Sequence, residues 1–352
     1  MHLHLDGIIF SLQQHGGITV YFRELLRRFG AEDQVTLTLE SPLMQEVAAK
    51  SFPGVKRFER PGRRLERIRR CRPAPSDSGM RANVFHSSYY RLPGGSDVPT
   101  VVTVHDFVAH RFLNGPRGQM RRRLMNSAIV KAHHIICISE ATRQDLMEFV
   151  GVRSNQRVSV IHNGVSSVFR PLAAEDTMTA PQRPFALFVG QRGGYKNFSL
   201  VLQALEFLPE LMLNCVGGGK LMPAELVGVP ESTRARVRHL GFVDEEQLNM
   251  LYSQAHCLIY PSAYEGFGIP VVEAMRAGCP VVSVNCKAVE EVGGSALSLS
   301  KESADPVSLA AAVERLEDSA TRTRLRDLGL ARSTEFSWDR CFAQTMATYQ
   351  NL

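Results

Sequence analysis

Residues 256–284 read HCLIYPSAYEGFGIPVVEAMRAGCPVVSV, and the order of periodicities in this stretch decides the fold. His256–Tyr260 is a short apolar run of strand character. Ile269–Ala277 has helical spacing with Pro270 in its first turn, and Gly278 stands where a helix ends. Pro280–Val284 is a second β-branched run. Strand, helix and strand in so short a span form a βαβ unit, which joins parallel neighbours.

The same alternation continues on both sides. Phe185–Val189 reads as a strand, Ser199–Phe207 as a helix, and Leu211–Val216 as a strand running into Gly217-Gly218-Gly219. In the amino-terminal half, Val98–His105 and His134–Ile138 read as strands around a helical Arg117–His133 region. Ser139 sits at an N-cap position before Glu140–Val150, and Val158–Ile161 precedes a turn at Asn163-Gly164. Between the halves lies PLAAEDTMTAPQRP (Pro171–Pro184), polar, proline-bounded and aperiodic, which reads as a linker. The expectation is an α/β chain with two Rossmann-like domains: residues 1–170, a linker at 171–184, residues 185–335, and a closing helix at 336–352.

In parallel sheets of this kind ligands bind beyond the carboxyl ends of the strands, so the residues after each strand carry the chemistry. Glu265 follows the strand His256–Tyr260, Gly266 and Gly268 flank Phe267 in a tight loop, and Ile269 opens a helix whose N-terminus favours anions. Glu273, about one turn inside that helix, could reach a ribose diol. After Phe185–Val189 the loop Gly190–Asn197 carries Arg192 and Lys196, a cationic pair suited to a diphosphate. Gly16-Gly17 forms a glycine turn into the helical Tyr21–Arg28. His105 and Asp106 end the run VVTVH, and His86 follows the short strand Asn83–Phe85. A solvated loop or a satisfied structural histidine is the plainer reading of each alone. No H-E-x-x-H, paired-Asp or Cys/His cluster has metal-ligand spacing, so no metal and no resident cofactor are expected.

Composition narrows the classes. The chain has 352 residues, 44% hydrophobic and 22% charged, which supplies two cores. No apolar run approaches the roughly 18 residues of a membrane span. Met1–Asp6 lacks the pattern of a secretory signal, and seven scattered cysteines without a C-x-x-C pair suit reduced thiols, so a cytoplasmic location is expected. The formal net charge of +6 divides unevenly, with +11 over residues 1–171 and −5 over 172–352. The excess concentrates in KRFERPGRRLERIRRCR (Lys56–Arg72), with a smaller cluster at Arg117–Arg123. With Phe58 as its single aromatic residue, the longer run does not read as a nucleic-acid site, and contact with an anionic membrane surface is the favoured partner reading.

Together these stretches resemble the retaining glycosyltransferases of family 4, which have the GT-B fold: two Rossmann-like domains facing across a cleft, with a C-terminal helix crossing back to the first. The resemblance spans nearly the whole chain and rests on Glu265-GFGIPVV-Glu273, on Arg192 and Lys196, on Gly16-Gly17, on His105, and on Asn163-Gly164-Val165. It implies transfer of a sugar from a nucleotide-diphosphate donor with retention and without a metal. Arg192 and Lys196 would stabilise the departing diphosphate, and Glu273 would hold the ribose. Glu265 and the amides around Phe267–Ile269 would hold the donor sugar, with His105 contacting it from the other domain. Gly217 and Val243 would lie on the base side, and His86 and Asp106 toward the acceptor. The wording GGITVYFREL, HSSYY and TVHD resembles bacterial polysaccharide and O-antigen mannosyl- or rhamnosyltransferases. A GDP-sugar is the favoured donor, with dTDP- or UDP-sugars next, and a lipid-linked glycan the acceptor. A nucleotide-sugar epimerase of the same architecture and a noncatalytic carbohydrate-binding protein are the competing readings.

Overall fold

The computed structural model describes residues 1–13, 16–29, 35–40, 56–57, 73–74, 83–94, 98–172 and 183–352. Most of the basic run Lys56–Arg72 and of the expected linker 171–184 lies outside these residues. The chain forms two compact units, Met1–Asn163 with Trp338–Leu352, and Gly164–Ser337.

In the first unit seven strands run parallel: β1 (His2–Asp6), β2 (Thr36–Glu40), β3 (Lys56–Arg57), β4 (Val84–Ser87), β5 (Thr100–Val104), β6 (His134–Cys137) and β7 (Arg157–Val160), in the order β3-β2-β1-β4-β5-β6-β7. β4, β5 and β6 are buried along their whole length, as parallel strands covered on both faces must be. That double burial explains the unbroken β-branched run TVVTV. Ser139 caps the helix Glu140–Phe149 by accepting the Thr142 N–H at 3.0 Å. β1 is followed by the short helix Ile8–Leu12, so the Gly16-Gly17 turn joins two helices.

The C-terminal helix Trp338–Gln350 belongs to this unit and lies along the helix Gly17–Phe29. Trp338 and Phe342 pack edge-on against Tyr21 and Phe29, at 6.2 and 5.0 Å between ring centroids. Arg28 Nε donates to Asp339 Oδ1 at 2.7 Å. The core joins Leu3, Leu5, Phe22 and Leu25 to Trp338, Phe342 and Tyr349.

The second unit is a six-stranded parallel sheet: β8 (Phe185–Val189), β9 (Met212–Val216), β10 (Val237–Gly241), β11 (Cys257–Tyr260), β12 (Val281–Ser283) and β13 (Leu297–Leu299), in the order β10-β9-β8-β11-β12-β13. Strand order reverses between β8 and β11, which are neighbours in the sheet and far apart in sequence. Phe188, Val201, Leu205, Leu213, Ile259, Val282, Leu309 and Leu316 are among the core residues. Gly278, in the left-handed region at φ +76, ends the helix Ile269–Arg276. The Cys279 N–H reaches back to the Ala274 carbonyl at 2.8 Å, and the Gly278 N–H to that of Met275 at 3.1 Å. Residues 164–170 fold with this unit: Phe169 stacks edge-on with Tyr252 at 6.0 Å, and the Arg170 N–H donates to Asn249 Oδ1 at 3.0 Å.

Candidate active site

The reversal of strand order in the second sheet sets two loops side by side at its carboxyl edge, after β8 and after β11. Main-chain bonds stitch them together. The Ala263 N–H donates to the Tyr195 carbonyl at 2.8 Å, and Asn197 Nδ2 donates to the Pro261 carbonyl at 3.0 Å. Asn197 holds a left-handed backbone, φ +52, where it starts the helix Phe198–Ala204. This turn swings the preceding Lys196 toward the second loop. Its ammonium pairs with Glu265 Oε1 and lies 5.4 and 5.6 Å from the Tyr195 and Tyr260 ring centroids. The Tyr260 hydroxyl also bonds to Glu265, and burial together with that carboxylate pushes the phenol well above its usual range.

Gly268, at φ +106, opens the helix that carries Glu273 and brings no capping side chain to its N-terminus. Gly266, Phe267 and Gly268 before it are buried, and Ile269 is half-buried. Part of Glu273 reaches solvent, yet burial pushes its carboxyl up to about 7, against the opposing hydrogen bond from Tyr252. Tyr252 Oη donates to Glu273 Oε2 at 3.1 Å.

Arg192 does not share the setting of Lys196. It is 6% exposed and turned inward, onto the turn after β9. Nη1 donates to the Gly217 carbonyl at 3.0 Å, and Nη2 to those of Gly219 and Lys220 at 2.8 and 2.9 Å. Nε donates to Glu225 Oε1 at 2.8 Å. The cationic clamp expected from Arg192 and Lys196 therefore separates into a half-buried Lys196 paired with Glu265 and a buried Arg192 held on the turn after β9. Gly217 adjoins the β8 loop, and its N–H donates to the Gly241 carbonyl at 2.8 Å. Half-buried Val243 follows β10, at the edge of the sheet beyond β9.

In the first unit the expected residues have different surroundings. His86 is fully buried within β4, with Nδ1 2.6 Å from Tyr349 Oη and Nε2 2.9 Å from Thr103 Oγ1. Both ring nitrogens are satisfied in the core, so the placement of His86 toward an acceptor is corrected to a structural tie between the sheet and the C-terminal helix. His105, after β5, is 6% exposed and packs edge-on against Tyr21 and Phe22. Among the described residues its Nε2 has no hydrogen-bond partner. Burial drives both imidazoles down to about 3, with the neighbouring His105 adding to the effect on His86, so both are neutral near pH 7. Asp106 Oδ1 accepts the Val108 N–H at 3.0 Å and so orders the turn into Val108–Arg111. Gly16, φ +153, accepts the Val20 N–H at 3.0 Å, and Gly17 begins the helix exposed. Among the described residues no group of three His, Cys, Asp or Glu side chains is placed to hold a metal ion.

Sequence reasoning missed Tyr252, Tyr260 and Glu225. Tyr252 and Glu225 act through partners distant in sequence, Glu273 and Arg192, while Tyr260 reaches Glu265 across the turn after β11.

Two family models match the chain. The model described as Glycosyltransferase Family 4 covers residues 15–168, and that described as Glycosyl transferases group 1 covers 172–329. Among curated proteins the chain is similar to the O-antigen chain mannosyltransferase B of Escherichia coli, 28% identical over 286 residues, 76% of this chain and 74% of that protein. Among solved structures it superposes on the sucrose-phosphate synthase of Thermosynechococcus elongatus with a TM-score of 0.79 and 19% identity, covering 100% and 98% of the two chains. It also superposes on Anabaena HepE in complex with UDP-glucose, with a TM-score of 0.75 and 15% identity over the whole of both chains. With one family model on each half of the sequence and the same two-Rossmann fold in these neighbours, the chain belongs to the family 4, group 1 glycosyltransferases of the GT-B fold.

Proposed function

We propose that this glycosyltransferase moves mannose, or failing that rhamnose, from a nucleoside-diphosphate donor to a bacterial polysaccharide of O-antigen type, with retention at the anomeric carbon and without a metal. The observation that carries the reading is the Lys196–Glu265 pair joining the two loops at the strand-order reversal. It sets a cation for the diphosphate beside a carboxylate for sugar hydroxyls. Glu273, about one turn inside the helix that follows, supplies a second carboxylate for the ribose diol. As the bond from the anomeric carbon to the diphosphate breaks, negative charge grows on the phosphate oxygen, and Lys196 stabilises it where it develops. The leaving oxygen takes the proton of the attacking acceptor hydroxyl, and attack on the face just vacated retains configuration.

The mannosyltransferase relative supports mannose and hence GDP, while the neighbour solved with UDP-glucose makes UDP the first competitor. The reading includes a lipid-linked acceptor met at the cytoplasmic membrane face, with Lys56–Arg72 contacting anionic lipid. Among the described residues no helix is long and apolar enough to cross a membrane.

The test is calorimetric titration with GDP, UDP, dTDP, ADP and CDP in the presence of chelator, followed by NMR of the anomeric proton in the product. GDP binding under chelation with an α-linked product from an α-linked donor supports the proposal. Preference for another base replaces the sugar assignment, an inverted product overturns the mechanism, and a strict metal requirement overturns metal independence. Interconversion of the donor without any acceptor would favour epimerisation.

A further inference from the structure

We propose that Glu225 is a positioning residue of the donor site, acting through Arg192 to hold the Gly217–Gly219 turn against the loop after β8. The inference rests on the donor-site reading above and extends it to a residue that touches no substrate.

The turn after β9 has three successive left-handed glycines, with φ of +74, +70 and +76. Such a run has no regular hydrogen-bonding partner of its own, so its carbonyls need an external donor. Arg192 supplies it, gathering the carbonyls of Gly217, Gly219 and Lys220 within 3.0 Å. The packing is close: a Cβ on Gly218 would stand 2.4 Å from the Gly190 carbonyl oxygen and 2.9 Å from Arg192 Nη1. With its carbonyls drawn inward, the turn leaves the Gly218 and Gly219 N–H groups without acceptors among the described residues. Main-chain N–H groups presented together in a turn form an anion-binding surface, and this one adjoins the loop that carries Lys196.

A guanidinium with a side chain only 2% exposed needs a counter-charge, because an unpaired buried cation is strongly unfavourable. Glu225 provides it from both oxygens, Oε1 to Nε at 2.8 Å and Oε2 to Nη2 at 3.4 Å. Glu225 is itself fixed, since Oε2 accepts the Met222 N–H at 2.7 Å across the short helical turn Pro223–Leu226. Burial opposes its charge, but the Arg192 and Met222 donors hold the carboxyl below its usual range. Glu225 thus anchors Arg192, Arg192 orders the glycine turn, and the turn faces the phosphates.

The opposite role, a carboxylate that masks Arg192 until the diphosphate displaces it, predicts the opposite sign. Nucleoside-diphosphate affinity, donor and acceptor KM, kcat and melting temperature are measured for the wild type, Glu225→Ala, Glu225→Asp and Glu225→Gln. Losing the charged hydrogen bond in Glu225→Ala should raise the diphosphate Kd and donor KM about ten-fold. Acceptor KM and kcat at saturating donor should stay near wild type, and Glu225→Gln, which keeps one accepting oxygen but not the counter-charge, should recover only part of the loss. Should the alanine variant fail to fold, Glu225→Asp withdraws the carboxylate by one methylene and should raise the donor Kd several-fold. Unchanged or tighter donor binding in folded Glu225→Ala or Glu225→Asp overturns the inference alone. A wild-type enzyme that binds no nucleoside diphosphate overturns the donor-site reading and, with it, this inference.

Discussion

His86, within β4, and His105, just after the neighbouring β5, lie near the same edge of the first sheet, yet their chemistry differs. His86 has a hydroxyl on each ring nitrogen and ties β4 to Tyr349 of the C-terminal helix and to Thr103 of β5. His86→Ala removes two buried hydrogen bonds and leaves a cavity, so it should lower stability by about 2–4 kcal/mol in denaturant unfolding. His105 leaves Nε2 unpartnered among the described residues, so His105→Ala removes no bond there and should shift unfolding much less while reducing turnover. A double ranking by melting temperature and by turnover separates the two, and equal thermal losses would refute the distinction. Lys196 is the residue on which the proposed chemistry leans most. Lys196→Ala should lower kcat by about 10²–10³-fold, as expected when a charge acts on a developing oxyanion. A loss below ten-fold would move the leaving-group role elsewhere.

At the scale of elements, the two loops and the glycine turn of the second sheet show how placement and conformation divide the work. Gly218 and Gly219 have similar φ, +70 and +76, but different surroundings. A Cβ at Gly219 meets nothing within 4 Å, so Gly219→Ala should cost only the left-handed strain of about 1–2 kcal/mol. Gly218→Ala adds a collision with the Gly190 carbonyl, where neither backbone can yield cheaply. It should therefore lose clearly more stability and weaken donor binding as well, readable by paired unfolding and titration. Similar behaviour in the two variants would mean the turn is looser than its geometry indicates. The βαβ unit at 256–284 was legible in the sequence because its signals are local: periodicity, Pro270 in the first turn, and Gly278 at the helix end. Glu265 and Lys196 were legible because each lies in a loop segment after a strand, and Glu273 because it sits about one turn inside the helix that follows Glu265. The helix Ile8–Leu12 was not, since a short apolar run has no period to distinguish its state. Nor were the burial of Arg192 and the tie from His86 to Tyr349, because both partners of each contact come from distant segments and spacing records no such pairing.

For the molecule as a whole, buried titratable groups lie in both units and pull stability in opposite directions with pH. In the first unit His86 and His105 are held down at about 3 from an ordinary 6.5, chiefly by burial. The unfolded chain then binds protons that the folded unit refuses, so this contribution is full above pH 6.5 and lost as pH falls toward 3. In the second unit burial lifts Glu273 from 4.5 to about 7. There the folded unit keeps a proton the unfolded chain releases, so the contribution is full below 4.5 and lost as pH rises through 7. Units that bury separate cores need not melt together, which makes the two trends separable in scanning calorimetry. Acidification from pH 6.5 to 5 should destabilise the first unit, and a rise from pH 5 to 8 should weaken the second. Glu273→Gln should flatten the second trend and leave the first intact. A nucleoside diphosphate should raise the transition of the second unit, whose loops hold Lys196, Glu265 and Glu273. If the acid-sensitive and alkali-sensitive changes instead move one indivisible transition, with Glu273→Gln altering neither slope, the assignment of these trends to the two histidines and the one carboxyl fails.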